Sequence, residues 1–124
     1  MELQGKSIII TGASSGIGAA AARDIDVTGR LVTPPFVDSH FHMDATLLYG
    51  YPRYNESGTL LEGIELWAEL KPSLKHDWYV ERALEYCDWA VGRGLLAIRS
   101  HVDTTDPTLG GVAALLEVCE QVKE

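Results

Sequence analysis

The sequence predicts an α/β fold with a parallel sheet, and three observations predict it. Two stretches, Val37–Asp44 and Leu95–Asp103, alternate polar and apolar side chains with the period of a strand. The residues between them include two stretches of helical periodicity, which suit a crossover between parallel strands rather than a hairpin. A further helical stretch follows the second strand. The order strand, two helices, strand, helix is that of the opening of a (β/α)8 TIM-type barrel.

Taken from the start, residues 6–24 read as a strand (Ile8–Ile10), a glycine turn and the beginning of a helix. Gly12, Gly16 and Gly18 have the Thr-Gly-x-x-x-Gly-x-Gly spacing, which resembles the start of short-chain dehydrogenases. In that family the glycines let backbone amides and a helix N-terminus approach a pyrophosphate, so the resemblance implies NAD(P) at Gly12, Gly16 and Gly18. The following residues oppose it. Asp26, Thr28 and Gly29 halt the helix early, and the family's Tyr-x-x-x-Lys is missing. Tyr49, Tyr51, Tyr54, Tyr79 and Tyr86 are followed four places on by Arg53, Asn55, Gly58, Ala83 and Ala90. Asp38 stands where an acidic ribose ligand is sought, but Pro34-Pro35 makes a poor central strand before it. Residues 1–25 are therefore expected to be a Rossmann-like strand-turn-helix stub without a working dinucleotide site, and residues 26–124 a separate unit.

The first strand of that unit holds the chemistry. Asp38, His40, His42 and Asp44 share one parity, and Val37, Phe41 and Met43 share the other. One face thus carries metal-type ligands and the other core-type side chains. Neutral imidazoles two residues apart suit a divalent ion held at about 2.0–2.1 Å. A strand with half-buried, hydrogen-bonded histidines is the plainer alternative.

After a Gly-, Pro- and Tyr-rich loop (45–57), Leu60, Leu61, Ile64, Trp67 and Ala68 recur at helical spacing. Ser57 or Thr59 is the expected cap, and Pro72 the stop. A second helix begins near Asp77, with Val80, Ala83, Leu84, Cys87, Ala90 and Val91 as its apolar stripe and Gly92 or Gly94 as its end. Trp67, Trp78 and Trp89 are expected to pack, and His76 to lie at the surface or cap the helix. In the second strand Arg99, His101 and Asp103 share one parity against Leu96, Ile98 and Val102. Thr104-Thr105-Asp106-Pro107 should cap the last helix, with Pro107 in its first turn. Leu109, Val112, Ala113, Leu116 and Cys119 are its expected apolar face, weakened by Gly110-Gly111.

Three ordered segments, 29–44 (GRLVTPPFVDSHFHMD), 52–67 (PRYNESGTLLEGIELW) and 97–103 (AIRSHVD), carry a resemblance to the amidohydrolase superfamily, nearest its cytosine deaminase-like branch. The resemblance implies metal-dependent hydrolytic deamination of a cyclic base such as cytosine, with zinc or iron as the ion. It implies that His40 and His42 are metal ligands and that Asp44, Arg99, His101 and Asp103 line the pocket. The family's remaining ligands, from middle and last strands, and its proton-shuttling glutamate have no counterpart here. The catalytic residues are thus unknown, and the isolated chain is expected to be inactive. The two resemblances belong to unrelated families and meet near Asp24–Asp26, as a joined reading frame would have them do. An oxidoreductase resting on the three glycines, or a non-catalytic module that self-associates through open sheet edges, are the alternatives.

Bulk properties narrow the partners. The chain has 124 residues, 46% of them hydrophobic and 23% charged, with a net charge of -8. That is one ordinary globular domain or part of a larger one. The negative charge argues against nucleic acid and anionic membranes as partners. Cys87 and Cys119 form no disulfide framework and read as reduced core thiols of a cytoplasmic protein. Residues 7–22 lack charge, but Thr11, Ser14 and Ser15 interrupt the apolar run and Glu2 spoils a positive leader, so export is not expected.

Overall fold

The computed structural model describes residues 28–29 and 31–123. The glycine turn at Gly12, Gly16 and Gly18 lies outside the described residues. The elements are β1 (Phe36–His42), α1 (Leu60–Leu70), α2 (His76–Val91), β2 (Leu95–His101) and α3 (Gly110–Gln121), with 3-10 turns at Met43–Ala45 and Lys71–Ser73. β1 and β2 are hydrogen-bonded neighbours and run parallel, as the helical crossover between them requires. The predicted α/β order is thus present. Among the described residues no helix is long and apolar enough to cross a membrane.

The chain divides into two compact units. One takes the residues up to Ser39 together with Trp89–Arg99, and the other His40–Asp88 with Ser100–Glu124. In the first unit α2 closes through Arg93 N–H to the Ala90 carbonyl and Gly94 N–H to that of Val91, each at 3.0 Å. Gly94 takes φ +79°, the left-handed conformation that a Cβ opposes, which is why a glycine ends this helix. Phe36 N–H then donates to the Gly94 carbonyl at 2.9 Å and starts the strand pairing. The apolar parity of the strands is not buried here: Val37 and Leu96 are exposed, and so is Trp89 beneath the Arg93 guanidinium. Among the described residues the sheet has two strands, and two strands alone do not cover both of their faces.

The second unit holds the main core, formed by Met43, Leu66, Leu70, Tyr79, Val80, Ala83, Ala114, Leu115 and Val118. α1 begins as expected at Thr59, whose hydroxyl accepts Glu62 N–H at 3.3 Å. The Glu62 carboxylate reaches back to Ser57 N–H at 2.7 Å and to its hydroxyl, a variant of the capping box. These bonds from Ser57 hold the Glu62 pKa down at about 2. Pro72 lies in the 3-10 turn that ends the helix. The predicted apolar row is largely wrong in phase, however. Leu66 and Leu70 are buried, whereas Leu60, Leu61 and Ile64 face solvent.

The last helix departs further from expectation. It starts at Gly110, not Pro107, because the Asp106 carboxylate accepts Thr108 N–H at 2.9 Å and Gly110 N–H at 3.3 Å. Its core face is Gly111, Ala114, Leu115 and Val118, not Leu109, Val112, Ala113, Leu116 and Cys119. A Cβ on Gly111 would stand 3.5 Å from Val102 Cγ1 and 3.7 Å from Asp44 Cβ, so the glycine permits a close approach. Cys119 is exposed rather than a core thiol, while burial pushes the half-buried Cys87 thiol up.

Candidate metal site at the strand ends

Both strands deliver imidazoles at their carboxyl ends. His40 and His42 close β1 and His101 closes β2. The His40 and His101 rings lie 4.0 Å apart between centroids, His40 and His42 5.5 Å, and His42 and His101 5.7 Å. His40 and His42 are exposed and His101 is half-buried, as strand parity predicts for one shared face. On the other parity, Phe41 stacks on Tyr86 at 4.3 Å.

The parity argument fails one residue further on. β1 ends at His42, and Met43–Ala45 turn as a 3-10 segment while Met43 N–H donates to Ser100 Oγ at 3.2 Å. Asp44 is therefore not a strand residue. It is buried, and its Oδ2 accepts Asp103 N–H at 2.8 Å, which ties the end of β1 to the chain leaving β2. Its Oδ1 has no hydrogen-bond partner and lies 3.8 Å from His42 Nδ1.

β2 likewise stops at His101, so Asp103 is not on the strand. Its carboxylate accepts Trp67 Nε1–H at 2.7 Å, Lys71 Nζ at 2.9 Å and Thr105 N–H at 2.8 Å. The Lys71 ammonium, with these other donors, holds it well below the usual carboxylate range. Such a group fixes the loop that leaves the strand. Arg99 is exposed on β2.

One residue escaped the sequence reading altogether. Arg82 is 5% exposed and donates to the Trp78, Asp44 and Thr46 carbonyls. Its guanidinium also lies 5.5 Å from the Trp78 ring centroid and 5.4 Å from that of Tyr79. It clamps the backbone just after the histidines. An arginine three and four places after Tyr79 and Trp78 and four before Tyr86, on a helix face rich in aromatic side chains, was the signal available.

A cavity of about 230 Å³ lies in the second unit, lined by Leu48, Tyr51, Arg53, Asn55, Leu66 and Trp67 among others. Its cation is engaged: Arg53 donates to Glu62 at 2.8 Å and to Glu69 at 3.0 Å.

Residues 23–117 match the Amidohydrolase family. This chain belongs to that family. It is 28% identical over 110 residues to N-isopropylammelide isopropyl amidohydrolase of Pseudomonas sp. (strain ADP), covering 82% of this chain and 26% of that protein. Two crystal structures of 5-methylcytosine deaminase from Klebsiella pneumoniae, liganded with phosphonocytosine and with 5-fluorocytosine, superpose with TM-scores of 0.75 and 0.74. Each is 45% identical to this chain and covers 78% of it, which is 24% of the deaminase chain. The chain thus spans about a quarter of the length of these relatives.

Members of an amidohydrolase family generally use a divalent metal, and the donor chemistry here fits one in part. Imidazole nitrogens from adjacent strand ends are borderline-soft ligands that zinc and iron accept. Among the described residues, no set of three or more His, Cys, Asp or Glu is arranged to hold an ion. A catalytic zinc ordinarily takes three protein ligands.

Proposed function

We propose that this chain carries the first two β/α units of a metal-dependent deaminase of cyclic nitrogenous bases, with His40 and His42 as two of the metal ligands. The carrying observation is the group of three imidazoles at the carboxyl ends of two adjacent parallel strands, in a chain of amidohydrolase sequence. In α/β barrels that end of the strands carries the chemistry. The likeness to a deaminase solved with cytosine analogues supports a pyrimidine-like base as the substrate class.

A zinc or iron ion in such a site supplies Lewis acidity that makes water nucleophilic near neutral pH. The chain's own residues do the positioning. His40 and His42 present ring nitrogens from one strand face, and His101 lines the same space from β2. Arg82 and the Asp44–Asp103 link hold the turns that follow. With two firm ligands and no proton-shuttling carboxylate, these 124 residues alone are proposed to bind metal weakly and to be inactive.

Metal content and ammonia release decide this. The chain, purified without a metal-affinity tag, should take up added zinc substoichiometrically, lose that uptake in His40→Ala/His42→Ala, and release no ammonia from cytosine. Metal-dependent turnover of cytosine would overturn the inactivity. Zinc uptake unchanged in the double variant would overturn the ligand assignment.

A further inference from the structure

Asp44 is fixed more rigidly than its place beside two exposed histidines requires. Its side chain is 2% exposed. Its Cβ packs at 3.7 Å from where a Gly111 Cβ would stand, its carbonyl accepts Arg82 at 3.1 Å, and Oδ2 accepts Asp103 N–H at 2.8 Å. Oδ1 is nevertheless buried without a donor. A buried carboxylate oxygen left so is costly, and native structures rarely tolerate it without a reason. The nearby cations do not serve it. The Arg82 guanidinium is directed at backbone carbonyls, and Lys71 at Asp103. The group that faces Oδ1 is His42 Nδ1, at 3.8 Å.

We propose that Asp44 is the positioning residue of His42: its Oδ1 accepts the Nδ1–H, which fixes that tautomer and leaves Nε2 bare for a divalent cation. Closing 3.8 Å to hydrogen-bond range takes about 1 Å, which the half-exposed His42 ring covers by a small rotation. Metal-bound histidines as a rule donate their other ring N–H to such a carboxylate, which sets the tautomer and raises the basicity of the ligand nitrogen. Asp44 is suited to that role because the carboxylate itself cannot swing away. The inference rests on the metal reading above for its purpose, but not for its test.

The test is long-range proton–nitrogen correlation on the full chain with ¹⁵N-labelled histidine, at about pH 8, where ordinary imidazoles are neutral. His42 is expected as the Nδ1–H tautomer without any metal. In Asp44→Asn, whose amide oxygen still accepts Asp103 N–H, His42 should shift toward Nε2–H, and zinc affinity by calorimetry should fall about 10–100-fold. His42 found as Nε2–H in the unsubstituted chain overturns the proposal, and this reading needs no variant to fold. An Asp44→Asn chain of native circular dichroism with unchanged tautomer overturns it as well. A tautomer that follows Asp44 in a chain that binds no zinc supports the positioning and sinks the metal reading instead.

Discussion

At the scale of single residues, the site is held from outside itself. Asp103 accepts from Trp67, Lys71 and Thr105, and its carboxyl is held well below its ordinary value. A depressed folded-state pKa gives stability that is complete above the unfolded value and lost as pH falls through the folded one. Unfolding in urea should therefore show stability declining below about pH 4, the ordinary carboxylate value. Asp103→Asn should flatten that decline and cost about 2 kcal/mol at neutral pH, since Lys71 then loses its charged partner. Arg82 is the second support. Arg82→Leu leaves the Asp44 and Thr46 carbonyls without their buried donor and should destabilise by about 3 kcal/mol. A measured loss under about 0.5 kcal/mol, the level of an ordinary surface change, would refute the clamp.

At the scale of elements, α3 tests how a helix face is chosen. Gly111, Ala114, Leu115 and Val118 recur at helical spacing, and so do Val112, Leu116 and Cys119, so periodicity alone admits either phase. The observed phase is decided by Gly111, the residue whose missing Cβ allows α3 to approach Val102 and Asp44. Leu115→Ala should cost about 2–5 kcal/mol and Leu116→Ala no more than about 0.5. Equal losses would mean that both faces are packed in solution. The same ambiguity explains α1, where Leu66 and Leu70 are inside and Leu60, Leu61 and Ile64 are not. Strand order, the Thr59 cap, Pro72 and the Gly94 stop were legible because each depends on local backbone chemistry. The placing of His40 and His42 on one face was legible for the same reason, whereas His101 was brought beside them only by the family resemblance. Asp44 and Asp103 were misplaced onto strands because nothing local marks where a ladder ends. Their surroundings come from Arg82, Lys71 and Trp67, which lie far off in the sequence.

At the scale of the molecule, apolar surface is the property that remains to be accounted for. Leu60 is 81%, Leu61 67% and Ile64 54% exposed, side by side on one face of α1, and Leu116 is 63% exposed on α3. Soluble monomers seldom present such rows uncovered, because contiguous apolar patches drive association. The described sheet also has two strands, each with an outer edge able to pair. In relatives about four times as long, further chain is at hand to lie on such faces. The 124 residues alone are therefore expected to self-associate, with sedimentation coefficients that rise over about a hundred-fold range of concentration. Leu61→Glu with Ile64→Lys should weaken that association and leave the urea midpoint of the diluted chain within experimental error, because neither side chain is in the core. The pair of measurements separates a sticky surface from a loosened fold. If the substitutions lowered the midpoint as well, the exposed face of α1 would be packed in solution. A monomer at every concentration would instead show that these side chains tolerate water, and the row would carry no association.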